Sequence, residues 1–336
     1  MSRTRGPLAA LRFLFMLLIA GLARADASAD DIPAAAAHDP GLEVVLVTGV
    51  QPGPALWKVT SGEHVLWILG EVSPLPAKVR WQSTHFERLL AKSQEVLLEL
   101  GEFPPATNAQ TTALFKMRNL PDGKTLKDIL SPALYARVEA TSRIFDMQRE
   151  IDHLRPGYAG QQLWLNAFDD MNLRAFSAAA QVRKLAQRAN VRITVVDTPR
   201  QSVDESIRIA ERAGIGSSAP CLERVVDILE DGGIGLRRLA NAWALGDIQA
   251  LRKLVPAYAA LNGTHQPSKC KVAAYGGQQR ANEFTARRKE SWLNAAAAAL
   301  SANRSTIAVV PMGELFAPDG YLAGLRGRSY EIEEPD

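Results

Sequence analysis

The chain has 336 residues, with 39 Lys plus Arg against 36 Asp plus Glu and 47% hydrophobic residues. That length and apolar content suit a folded protein with a sizeable core and exclude a disordered chain. Four of the bases (Arg3, Arg5, Arg12, Arg24) fall in the first 25 positions, which hold no acid, so the remainder has 35 bases against 36 acids and lacks the basic footprint of a nucleic-acid binder.

Residues 1–25 read as a cleavable export signal. Arg3 and Arg5 give a positive start, Phe13 to Ala20 an apolar run, and Ala23-Arg24-Ala25 a small-x-small cleavage pattern, so cleavage is expected after Ala25 and a periplasmic location follows. No later stretch approaches about 18 apolar residues, so no membrane span is expected after cleavage. No Cys near the cleavage point marks a lipid anchor, and no Arg pair marks the twin-arginine route. Residues 26–53 are rich in Ala, Asp, Pro and Gly without a sustained period, and a disordered lead-in is expected there.

Folded structure is expected from Pro54. Ala55 to Val59 and the fully apolar Val65 to Leu69 read as a hairpin turning at Ser61-Gly62-Glu63. Three later runs look similar: Val96 to Leu100, Val191 to Val196 and Thr306 to Val310. Each follows a helical stretch, roughly 83–93, 170–189 and 280–303. The alternation predicts an α/β fold with a central mixed β-sheet flanked by helices. Residues 107–155 and 200–262 read as helical insertions, with Ser131-Pro132 as a helix start. Residues 262–278 read as a longer loop containing Cys270. Cys221 and Cys270 are the only cysteines, an even count that permits a disulfide in an exported chain. Two buried thiols are the alternative, and metal ligation is the least favoured because no Cys-x-x-Cys or His pair accompanies them.

In open α/β sheets chemistry gathers at the carboxyl ends of strands. Those ends carry Gly70-Glu71-Val72-Ser73, Glu99, Asp197-Thr198 and Gly313-Glu314-Leu315-Phe316. Together with Trp57, Trp81, Trp243 to Asp247, Arg288 with Trp292, and Pro318-Asp319-Gly320-Tyr321-Leu322, their order over residues 54–334 resembles the TraB/GumN family, related to the Tiki proteins. The resemblance implies a scaffold of exported or membrane-associated metal-dependent peptidases, with two Gly-x-x-His motifs holding one metal ion near a carboxylate at the Glu99 position.

The glycines of both motifs are present as Gly70 and Gly313, but the histidine positions are Ser73 and Phe316. A neutral hydroxyl is a poor transition-metal ligand and a benzyl group is none. The resemblance therefore implies a member whose metal site is dismantled, with no cofactor, acting by binding or assembly on a protein or peptide partner. Glu99 would be the residual catalytic group. The alternative is an active hydrolase with a divalent ion held by Glu71, Glu99 and Glu314. The plainer expectation makes Glu71 and Glu314 solvated turn residues, Glu99 a buried carboxylate satisfied by an Arg or a backbone amide, and Arg280, Arg287, Arg288 and Lys289 a solvated helix face. The histidines (38, 64, 85, 153, 265) show no ligand spacing and read as surface or capping residues.

Overall fold

The computed structural model describes residues 49–51, 53–76, 79–81, 84–99, 106–174, 177–258 and 269–335. The expected export signal, most of the lead-in, His38 and His265 lie outside them. The strands are β1 (Gly49–Gln51), β2 (Leu56–Ser61), β3 (His64–Glu71), β4 (Leu75–Pro76), β5 (Val79–Trp81), β6 (Glu95–Leu98), β7 (Leu173–Arg174), β8 (Arg192–Val195), β9 (Ser305–Pro311) and β10 (Glu331–Glu333). The main sheet has the order β10-β2-β3-β9-β6-β8. β10, β2 and β3 run antiparallel to their neighbours in that trio, whereas β3, β9, β6 and β8 are parallel. This is the mixed sheet expected from the sequence. Every residue of β6, and β9 from Thr306 onward, is buried, which is why those runs are apolar without alternation.

The helices are α1 (Thr84–Lys92), α2 (Asn108–Lys116), α3 (Pro132–Ile144), α4 (Gln148–Ile151), α5 (Pro156–Asp170), α6 (Ala178–Arg188), α7 (Val203–Arg212), α8 (Ala219–Leu229), α9 (Ile234–Leu245), α10 (Ile248–Tyr258), α11 (Lys269–Tyr275), α12 (Gln278–Ala302), α13 (Met312–Phe316) and α14 (Tyr321–Gly327). Local chemistry sets several of their ends. Ser131 accepts from Leu134 N at 3.3 Å with Pro132 in the first turn of α3. Ser177 and Ser202 start α6 and α7 the same way. Gly246 ends α9 in the left-handed region, φ 73°.

Three expectations need correction. Gly49–Gln51, placed in the lead-in, form β1 and pair in parallel with β5, a backbone ladder that composition does not announce. The helix expected over 170–189 begins only at Ala178, because Asn172 turns the chain at φ 54° and Leu173–Arg174 pair with β4. Cys270, expected in a loop, lies on α11 and is bonded to Cys221 on α8. The bridge spans 49 positions, a cross-link worth roughly 4 kcal/mol in the chain-entropy account.

Candidate functional site at the carboxyl ends of the parallel strands

The parallel order brings three carboxylates to one end of the sheet. Glu71 is the last residue of β3, Glu99 follows β6, and Glu314 lies on α13, which leaves β9 between them. Glu99 and Glu314 are only 2% and 3% exposed. Burial at that level demands partners. Arg288 of α12 supplies one: its Nε donates to Glu99 Oε1 at 2.5 Å and its Nη1 lies 3.8 Å from Glu314 Oε1. Tyr321 of α14 donates its hydroxyl to the same Glu99 oxygen at 2.5 Å. Trp292, one turn beyond Arg288, stacks on the Tyr321 ring at 4.2 Å and 4° and fixes its direction. Glu99 Oε2 is buried without a hydrogen-bond partner among the described residues.

Glu71 is the third member. Its Oε2 accepts from Ala179 N at 3.2 Å, in the first turn of α6. Burial pushes its carboxyl up to about 7; the Glu99 charge adds to that, and the α6 amides and Arg288 oppose it. Burial disfavours the Arg288 charge, but Glu99, Tyr321 and Glu314 overcome it and hold the guanidinium well above its ordinary value. Burial and then the Glu99 charge raise the Tyr321 phenol well above its usual range. The end of β8 joins the same layer, where the buried Thr198 hydroxyl donates to the Glu99 carbonyl at 3.2 Å.

The glycine of the first motif position has a steric reason. A Cβ on Gly70 would lie 2.6 Å from Met312 Sδ and 2.9 Å from Leu315 Cδ1, so α13 packs directly on the end of β3. The Gly70 carbonyl accepts from the buried Trp243 indole at 2.7 Å, which ties α9 to the same point. Gly313 is buried in α13. Ser73 and Phe316 thus follow the ends of two neighbouring parallel strands, β3 and β9. The partly buried Phe316 ring packs edge-on against Trp57 at 5.8 Å and lies beneath the Arg252 guanidinium, 4.9 Å from its centroid.

Two sequence expectations are overturned here. Glu71 and Glu314 are not solvated turn residues, because α13 folds back over the strand ends and α6 caps Glu71. Arg288 is not on a solvated face: its side chain is 13% exposed. The expected Arg meets the buried Glu99 at one oxygen, Oε1, and leaves Oε2 without a partner among the described residues. Tyr321 as a second donor was not foreseen, although the spacing of Arg288 and Trp292, four apart on a helix, could have placed both on one inward stripe.

A family model, the TraB/PrgY/gumN family, matches residues 55–334. The chain belongs to the TraB/PrgY/gumN family. Comparison with curated proteins and with solved structures returns no match. The matched span contains the whole strand-end cluster, together with Gly70, Ser73, Gly313 and Phe316. The metal implied by the TraB/PrgY/gumN resemblance does not fit the residues present. Among the described residues no group of three or more His, Cys, Asp and Glu is placed to hold a metal ion. Glu71, Glu99 and Glu314, the alternative ligand set, do share one end of the sheet, but Arg288 lies within ion-pair reach of the last two. His64 bonds the Asn303 carbonyl at 2.8 Å through Nδ1, and His85 and His153 are exposed. Among the described residues no helix is long and apolar enough to cross a membrane.

Proposed function

We propose that this TraB/PrgY/gumN chain is an exported, non-catalytic member that keeps the family scaffold for binding or assembly with a protein or peptide partner. The observation that carries the reading is the pair Ser73 and Phe316 at the two motif positions, where the family pattern calls for imidazole nitrogens. Without those donors the Glu99 carboxylate has no metal to work with, and the activated water of a metallohydrolase has no source. The Arg288 contacts support it further, because the positive charge facing Glu99 and Glu314 is a side chain of the chain itself. The Cys221–Cys270 bridge supports export to an oxidising compartment such as the periplasm.

A second reading, a hydrolase working through carboxylates, draws on Glu71 and on the unpartnered Glu99 oxygen. A carboxyl that titrates near 7 is suited to proton transfer at neutral pH. Restoring both histidines separates the two. The S73H/F316H protein should bind about one transition metal per chain where neither single substitution does. Peptide hydrolysis by the unaltered chain, lost in E99Q or E71Q, would overturn the non-catalytic reading.

A further inference from the structure

Phe316 sits in a closed circuit of contacts that the cluster at Glu99 does not use. Its ring meets Trp57 of β2 edge-on. Above it lies Arg252, carried by α10 of the second helical insertion. The Arg252 guanidinium pairs with Glu334, which also accepts from Arg326 Nη2 of α14 at 2.5 Å. Glu334 directly follows β10, whose Glu331, Ile332 and Glu333 pair with Thr60, Val59 and Lys58 of β2. Lys58 Nζ reaches Glu333 at 2.9 Å. The circuit therefore runs from β2 through Phe316, Arg252 and the carboxy-terminal segment back to β2.

We propose that the carboxy-terminal segment is a releasable clasp: through Glu334 it holds Arg252 on the Phe316 ring and so fastens α10 to α13 beside the strand-end cluster. The links differ in strength. Trp57 is fully buried, and its side of the circuit is permanent packing. Arg252 and Glu334 keep 47% and 31% of their side chains exposed, so this side is electrostatic and open to screening by salt. A guanidinium over an aromatic face is directional, which makes the ring the seat and Glu334 the latch. Releasing the latch loosens the exposed side of α10 and uncovers the Phe316 face without touching Glu99, while Ile248, Leu251 and Val255 keep the helix seated in the core. The clasp rests on the reading of Phe316 as the second motif position only for its place beside the cluster, not for its working.

Hydrogen exchange on the full chain tests it, reading amides of α10 with β6 and β9 as internal references. Expected is about a 3-fold or larger rise in α10 exchange for E334Q and for F316L, with the double variant no worse than either single one. Glu334 and Phe316 are linked through Arg252, so that non-additivity is what a clasp requires and independent packing does not produce. Additive effects, or α10 exchange unmoved by E334Q, would overturn the proposal. If a substitution also loosens β9, the unaltered chain still decides: exchange in α10 should rise between low salt and 1 M NaCl while β6 stays constant, and no rise counts against the clasp. Metal content does not enter this readout, so its failure is separate from any failure of the non-catalytic reading.

Discussion

Strand β6 is flanked by a buried glutamate at each end. Glu95, at the amino end, has donors on both oxygens: the Thr194 hydroxyl on Oε1, and Asn303 Nδ2 at 2.7 Å with Arg192 at 3.2 Å on Oε2. Asn303 Nδ2 also reaches Thr306, and its carbonyl bonds His64, so the group belongs to a network of neutral donors with one solvent-exposed cation. Glu99, at the carboxyl end, has two donors on one oxygen and none on the other, shares its buried arginine with Glu314, and adds its charge to the desolvation that raises the Glu71 carboxyl. Glu95, met on both oxygens by neutral donors and by one exposed cation, ties the strands together. A carboxylate that competes for a single buried cation is where this fold retains chemical tension.

The largest expected effect that sharpens this contrast is at the two arginines. R288M removes the cation that Glu99 and Glu314 share and should cost about 3–5 kcal/mol in urea unfolding. R192M at the other end, where the side chain is 61% exposed, should cost less than about 1 kcal/mol. Equal losses would erase the distinction between the ends.

Next comes pH. The folded Glu71 carboxyl lies near 7 against an ordinary 4.5. The folded state then holds a proton that the unfolded state releases, so this group costs nothing below about 4.5, costs progressively more as pH rises, and levels off above about 7. E71Q should remove that slope and exceed the unaltered chain in stability by on the order of 3 kcal/mol at pH 8, with little difference at pH 4.5. A pH-independent offset between the two proteins would show that Glu71 is not a strained acid.

Tyr321 comes third. Y321F removes a buried hydrogen bond to a carboxylate and should cost about 1.5–3 kcal/mol. T194V, at the half-buried Thr194 on the edge strand, should cost about 1 kcal/mol, measured in the same unfolding series.

The amino acid pattern carries much of this. The apolar runs of β3, β6 and β9 are legible because both faces of those strands are covered, and a carboxylate ending such a run, Glu99, reads as buried and in need of an arginine. Which arginine was harder to see. Arg280, Arg287, Arg288 and Lys289 look alike in sequence, but only Arg288 continues the buried stripe Ala281, Thr285, Trp292 and Ala296 on α12. Glu71 and Glu314 follow glycines and so resemble exposed turns. Long-range folding buries Glu314 and half-buries Glu71: α13 lies against Gly70, and α6 begins at Glu71. The strand pairing of Gly49–Gln51 and the helix around Cys270 depend on partners distant in the chain, which local composition does not encode.

The most direct measurement is native mass spectrometry of the chain purified without chelator and offered zinc, manganese and cobalt in turn. An internally compensated cluster should leave the protein at its metal-free mass with each ion, with or without the Glu71 proton. One ion bound per chain, lost on substituting Glu99 or Glu314, would mean that Arg288 does not fill the charge role assigned to it.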